Sequence, residues 1–252
     1  MSGCVLVTGA GRGIGRAIAR RLAADGLTIA CGGRDTKALR ETVRLVEEDG
    51  GSGVTVTLDL TDHDAVAALP RLCGPVDALV ANSGIAGPTT PAWEISPADW
   101  EATVAVNLTG GFLLARALLP GMIERGLGSL VFVGSTTASR PLPGRAPYAA
   151  SKSGLVGLVR SLALDAGPYG VRVNLVHPGP TAGDRLDTVL GRQAAARGST
   201  EDALRSELLA GSPLRRLTEP GDVADAVAFL VGDASRGITG AELTVSSGMV
   251  MA

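Results

Sequence analysis

Aromatic side chains are scarce: two Trp, two Tyr and three Phe in 252 residues, too few for a platform on which bases stack. An excess of either charge is also missing. The 23 basic and 25 acidic residues nearly cancel, which argues against a nucleic-acid partner held by bulk charge. Three cysteines (Cys4, Cys31, Cys73) without CxxC spacing and two histidines (His63, His177) suggest neither a zinc site nor a disulfide framework, so no metal is expected. No stretch reaches 18 uninterrupted apolar residues, and residues 1–8 have no basic region ahead of an apolar one. The expectation is a chain without a membrane span or secretion signal, resident in the cytoplasm. With 45% hydrophobic and 19% charged residues, the length suits one domain over residues 1–252 with a substantial core.

What is abundant is an alternation of short β-branched runs with longer segments of helical period. Residues 5–8, 27–31, 54–58, 78–81, 130–133, 171–176 and 243–245 read as strands. Helices are expected around 14–22, 39–46 and 64–69, and at 97–120, 147–166, 200–210 and 220–231. Continuous apolar strands separated by helices predict an α/β fold. It is a single doubly wound, Rossmann-type parallel sheet of about seven strands with helices on both faces. Such sheets bind ligands at the carboxyl ends of their strands. The stretches richest in Gly and Pro (84–97, 139–147, 177–184) follow the fourth, fifth and sixth strands and read as active-site loops.

The first strand runs into Thr8-Gly9-Ala10-Gly11-Arg12-Gly13-Ile14-Gly15 and directly into a helix. Glycines there let backbone N–H groups approach a pyrophosphate, whose charge a helix N-terminus favours. GxGxxG spacing is not met, because Ile14 and Arg16 fall at the third-glycine positions; a plain strand-to-helix turn is the alternative. Cofactor type is read at the end of the second strand, Cys31-Gly32-Gly33-Arg34-Asp35. Arg34, assisted by Arg12, suits a 2′-phosphate, whereas Asp35 turned inward would repel one. The alternative is a solvated Arg–Asp pair.

Tyr148-Ala-Ala-Ser-Lys152 is the most informative stretch. Residues four apart share a helical face, so the ammonium sits beside the phenol. An unperturbed phenol titrates near 10 and is almost wholly protonated at neutral pH. A lysine charge in a cleft shielded from water lowers that value toward the working range. The chain has two tyrosines and two lysines in all (Tyr148, Tyr169, Lys37, Lys152), which makes a chance pairing at this spacing improbable.

Together these residues resemble the short-chain dehydrogenase/reductase family over essentially the whole chain. Its TGxxxGxG motif is met by Thr8, Gly9, Gly13 and Gly15, with Gly11, Arg12 and Ile14 among them, and its YxxxK motif by Tyr148 and Lys152. The family's active-site serine matches Ser135, thirteen residues before the tyrosine, and its catalytic asparagine matches Asn107. The resemblance implies cofactor contacts at Asp59 and Leu60, at Asn82-Ser83-Gly84 in place of the family's NAG, at Pro178-Gly179, and from Tyr148 and Lys152. The usual threonine after the PG motif is Gly183 here, so Thr181 is the implied nicotinamide contact; Asp77 also fits the pattern. The carboxyl end, 238–249, is similar to the 3-oxoacyl-carrier-protein reductase type, with Ser246-Ser247 for the usual Asn-Gly.

The resemblance implies reduction of a ketone by NADPH. Ser135 polarises the carbonyl, Tyr148 donates the proton, Lys152 tunes the phenol and holds the nicotinamide ribose, and Asn107 supports a proton-returning water chain. NAD(H) is the alternative cofactor. The rival functions are an NAD-dependent alcohol dehydrogenase working oxidatively and a non-catalytic dinucleotide sensor. Arg140, Arg145, Arg185 and Arg192 in the lid regions suggest an anionic or carrier-protein-bound substrate, with a solvated surface as the alternative. A homotetramer is expected, and the apolar girth of the 147–166 helix (Leu155, Val156, Leu158, Val159, Leu162) is consistent with a shared face. His63 reads as part of a helix start. A Ser135–His177 hydrolase is disfavoured, since the serine lies in Val-Gly-Ser-Thr-Thr and not in a GxSxG elbow.

Overall fold

The computed structural model describes residues 3–251. Seven strands form one parallel sheet: β1 (Cys4–Thr8), β2 (Thr28–Gly33), β3 (Ser52–Thr57), β4 (Ala78–Ala81), β5 (Gly128–Val133), β6 (Val171–Pro178) and β7 (Glu242–Val245). Their spatial order is β3-β2-β1-β4-β5-β6-β7. Strand order therefore reverses between β1 and β4, and the crevice at their carboxyl ends is where a doubly wound sheet takes its ligand.

Helices α1 (Gly13–Ala24), α2 (Thr36–Glu48) and α10 (Pro220–Val231) cover one face. The other face carries α3 (His63–Ala67), α4 (Leu69–Cys73), α6 (Gly110–Arg125) and α7 (Ala146–Ala166), with α5 (Pro97–Val104) leading into α6. Alternate residues of each strand feed the two cores. Leu6, Leu79, Leu130, Phe132 and Leu175 pack toward α6 and α7, while Val5, Val7, Ile29, Val80 and Val176 pack toward α1 and α10. Helices α8 (Asp184–Arg197) and α9 (Glu201–Gly211) form a small cluster of their own around Leu190, Ala194 and Leu204, beyond the end of β6.

The expected fold class holds, and the departures have local causes. Strand β2 starts one residue later than its apolar run and continues to Gly33, because backbone pairing with β1 and β3 carries it there. The helix expected near 64–69 is two short helices, with Pro70 at the start of the second; Asp62 caps the first by accepting from Ala65 N–H at 2.9 Å. The 97–120 helix runs on to Arg125 and contains a π turn, Ala105–Thr109. By length and composition this continuous helix is apolar enough to cross a membrane, although it has no 18-residue apolar run, and half of its most apolar window is buried against the sheet and α7. Segment 184–197 is helical although its periodicity gave no signal, since only Leu190 and Ala194 of its residues are fully buried.

Strand β6, which delivers His177, Pro178 and Gly179 to the crevice, is tied to α10 through Arg172. Its guanidinium donates to the carbonyls of Leu230, Val231 and Gly232 and to Ser235 Oγ, sharing the helix end with the Ser129 and Ser235 hydroxyls, which also donate to Leu230 O and, from Ser235, to Gly232 O. Replacing it removes the side-chain donor to the Val231 carbonyl and the charge-assisted bonds that join β6 to this helix end. Arg172→Met is expected to lose about 2–3 kcal/mol of unfolding free energy in urea titration; a loss under about 0.5 kcal/mol would show that water replaces the guanidinium.

Candidate active site

The turn between β1 and α1 has the shape that anion binding needs. Gly9 and Gly13 adopt φ of +66° and +54°, in the left-handed region that other residues enter at a cost. A Cβ on Gly15 would overlap the Gly9 carbonyl oxygen, so only glycine lets helix and loop approach this closely. Helix α1 has no acidic residue in its first turn and no side-chain cap, which leaves its N-terminus suited to a phosphate. Arg12 is exposed at the N-cap. Gly11 packs on Ala38, and Ile14 packs against the α1-side core. Asn82 braces the loop by donating to Thr8 O at 3.0 Å, and Thr8 Oγ1 accepts from the Asn82 and Ser83 N–H groups, both at 3.1 Å. These residues fit a dinucleotide.

At the other end of that groove, Arg34 is exposed with Nη1 3.9 Å from Asp59 Oδ2. Asp35 does not turn inward. Its carboxylate caps α2, accepting from Ala38 N–H at 3.0 Å, so the feared repulsion of a 2′-phosphate is absorbed by a helix terminus. Asp59 is held by Thr61, whose N–H and hydroxyl both donate to Oδ1. Those bonds, with Arg34 nearby, keep its carboxyl below the usual range. The Leu60 side chain is buried in the core against Gly110, so its expected contact with a cofactor would be made by its backbone. Thr181 Oγ1 donates to the Gly179 carbonyl at 3.0 Å, and its backbone bridges to Thr218. Asp77 stays structural, joining β1 to β4 by accepting from Cys4 N–H at 3.0 Å.

Between these ends sit the four residues expected to do chemistry. Helix α7 presents Tyr148 and Lys152 on one face, with Lys152 Nζ 5.9 Å from the phenol ring centroid. Lys152 is 3% exposed and donates to the Val133 carbonyl at 2.7 Å, which fixes it beneath the ring. Burial pushes the Tyr148 phenol up, but Lys152, Arg185, a hydrogen bond with Ser135 and Arg145 together outweigh burial, and the net shift is downward. Burial also lowers Lys152, partly countered by the phenol. Ser135 follows β5; its Oγ donates to Thr137 Oγ1 and accepts from Thr137 N–H, both at 3.1 Å. Asn107 lies in the π turn, a device frequent at functional sites. Its side chain is engaged in positioning: Oδ1 accepts from Ile85 N–H at 2.8 Å, and Nδ2 donates to Ile85 O and Ser151 Oγ. Gly84 sits where a Cβ would lie 3.1 Å from that Oδ1.

His177 has a larger part than its sequence context suggested. Its Nδ1 lies 2.9 Å from Ser135 O and 3.2 Å from Ser135 N, while Nε2 lies 3.0 Å from Glu242 Oε2. Glu242 in turn pairs with Arg160 at 2.7 Å. The imidazole thus pins the serine's backbone. No signal in the sequence links residues so far apart.

The comparisons with known proteins agree with this geometry. A family model described as enoyl-(acyl carrier protein) reductase matches residues 9–250. The acetoacetyl-CoA reductase of Allochromatium vinosum is 34% identical over 257 residues, covering 100% of both chains. The chain belongs to the short-chain dehydrogenase/reductase family. Among solved short-chain dehydrogenases, a 3-oxoacyl-[acyl-carrier protein] reductase from Brucella melitensis with bound NAD superposes with a TM-score of 0.88 at 34% identity, covering 99% of this chain and 92% of that one. A protein described as a candidate NAD(P)-dependent gluconate 5-dehydrogenase from Beutenbergia cavernae, with NADP at low occupancy, gives 0.88 at 34% identity, covering 98% and 96%. The chain is an oxidoreductase of the CH–OH/ketone class, and the resemblance to 3-oxoacyl reductases read from its motifs is borne out.

The downward shift of the phenol has a kinetic consequence. A short-chain reductase that draws its proton from Tyr148 works only while the phenol is protonated, so kcat/KM for reduction falls as pH rises through a value below the ordinary 10. Lys152→Met removes the largest opposing charge and is expected to move that alkaline limb to higher pH while lowering the rate about 100-fold. A pH–rate profile with its limb unmoved would separate the lysine from the phenol's acidity.

Proposed function

We propose that the chain reduces a ketone to a secondary alcohol with NADPH, with Tyr148 as proton donor. The observation that carries this reading is the buried Lys152 beneath Tyr148, next to Ser135 at the end of β5. The cofactor, when bound, supplies the hydride. Ser135 Oγ and the Tyr148 hydroxyl hold the carbonyl oxygen from two directions, so the oxygen's developing negative charge meets a donor on each side. Tyr148 passes its proton to that oxygen. Lys152 favours the phenolate left behind and holds the nicotinamide ribose. Asn107 keeps the 84–85 segment on α7 and supports the water chain that reprotonates the site. Pro178, Gly179 and Thr181 border the nicotinamide, and Gly9–Gly15, Arg12, Asp59, Asn82, Ser83 and Gly84 border the rest of the dinucleotide.

Preference for NADPH over NADH rests on Arg34 and Arg12, two exposed guanidiniums near the adenosine end, and on the commitment of Asp35 to capping α2. The substrate is a small-molecule ketone, free or carried as a thioester. A homotetramer built on α6 and α7 is supported by Phe112 and Leu164, which are 46% and 79% exposed. Residence in the cytoplasm suits three unpaired cysteines, with burial raising the Cys31 thiol to about 12.

The test is a spectrophotometric screen of both nucleotides against ketones and acyl thioesters. Tyr148→Phe is expected to lose about 100- to 10,000-fold in rate, as removal of a positioned general acid does. Arg34→Asp is expected to shift the NADPH/NADH ratio of kcat/KM at least about tenfold toward NADH, the size of one charge-assisted bond. An unchanged ratio would reject Arg34 as the phosphate reader, and nucleotide binding without turnover of any ketone would favour the sensor.

A further inference from the structure

Four lid arginines flank the site, and their surroundings differ. Arg140 is exposed and donates to the Met249 carbonyl. Arg185 and Arg192 are exposed on α8. Arg145 is 6% exposed, and its Nε and Nη1 are buried without a hydrogen-bond partner among the described residues. A guanidinium buried this deeply is ordinarily paired. Arg185 and Arg192 act against its charge, the Tyr148 ring is the one favourable neighbour, and no carboxylate pairs with it among the described residues. Its position compounds the cost: Arg145 stands at the N-cap of the 21-residue helix α7, the end where the helix dipole disfavours a cation. Burial, lack of partners, like-charged neighbours and the helix dipole all act against the same side chain. An anion supplies the missing partner and offsets the neighbouring positive charge.

The location says whose anion it is. The Arg145 guanidinium carbon lies 4.7 Å from the Tyr148 ring centroid, and Arg185 approaches the same ring at 5.9 Å. The one other buried side-chain polar atom without a partner among the described residues is Thr89 Oγ1. Its segment is joined to Arg145's by Thr90 N–H donating to the Gly144 carbonyl at 3.0 Å. The buried side-chain atoms without partners among the described residues thus lie on two joined segments, one of which sets Arg145 against the Tyr148 ring. Cofactor phosphates belong to the glycine loop ahead of α1. The phosphate of a pantetheine arm lies at the far end of a long chain from its thioester, too remote from the carbonyl to reach Arg145. A planar guanidinium fork matches a carboxylate in two parallel bonds.

We propose that the substrate is a small keto acid whose carboxylate, a few bonds from the carbonyl, is bound by Arg145 with Thr89 beside it and Arg185 and Arg192 at the entrance. This rests on the reductase reading above. The keto carbon takes the hydride, its oxygen takes the Tyr148 proton, and the carboxylate leaves unchanged on a hydroxy acid.

The test compares acetoacetate, 4-oxopentanoate and 5-oxohexanoate with their methyl esters and with acetoacetyl-CoA, using wild type, Arg145→Gln and Arg145→Lys. At least one acid is expected to exceed its ester about 30-fold in kcat/KM, the ratio collapsing toward one in Arg145→Gln and recovering in part in Arg145→Lys. Free Arg145→Gln is expected to melt no lower than wild type, since it removes an unpaired buried charge. Esters or acetoacetyl-CoA preferred over every acid, a ratio unmoved by Arg145→Gln, or a lower melting temperature with that ratio intact would each overturn the proposal. If no compound is reduced, the reductase reading fails, and calorimetry of pentanoate against pentanamide still decides this one. Binding of the acid alone, lost in Arg145→Gln, supports it, and equal binding of acid and amide overturns it.

Discussion

The proposed chemistry depends on an ammonium group held out of water beneath a phenol. Lys152 reaches that position because α7 sets it one turn after Tyr148, and it stays there because it donates a hydrogen bond to the Val133 carbonyl. Burial makes the charge costly and, by the same token, makes it felt: in a medium less polar than water the ammonium acts on the phenol with little screening. The sheet, the two cores and the crossover helices serve to deliver β5 and α7 to that encounter with matched register.

Around this pair, most polar side chains hold other parts of the site in place. Asn107 spends its amide on Ile85 and Ser151, Thr8 gathers the turn after β4 against the glycine loop, and His177 clamps the serine's backbone. Asp35 commits a carboxylate oxygen to starting helix α2. Arg145 is the exception, since it is neither satisfied nor exposed.

Much of this was legible in the sequence because it is local. The parallel sheet follows from β-branched runs with no polar alternation; the glycine turn and the Tyr148–Lys152 pair follow from short spacings whose geometry is fixed by strand-to-helix turns and by 3.6-residue periodicity. Asp35 was ambiguous, since a carboxylate two residues past a strand is as well placed to repel a phosphate as to cap a helix, and only the direction of the chain decides. For Leu60 a motif position says nothing of which way the side chain turns, and the structure turns it into the core. The α8 helix escaped because two buried residues in fourteen leave no apolar stripe. The four lid arginines looked alike in the sequence; burial separates them.

The Glu242–His177–Ser135 connection ties the site to the order of synthesis. Glu242 lies in the last strand, so the carboxylate that steadies the imidazole arrives after every other part of the site has been made. A nascent chain still attached before β7 docks has its phenol and ammonium in hand but a serine loop with one brace missing. Loss of β7 therefore removes a contact at the centre of the site as well as a strand at the edge of the sheet.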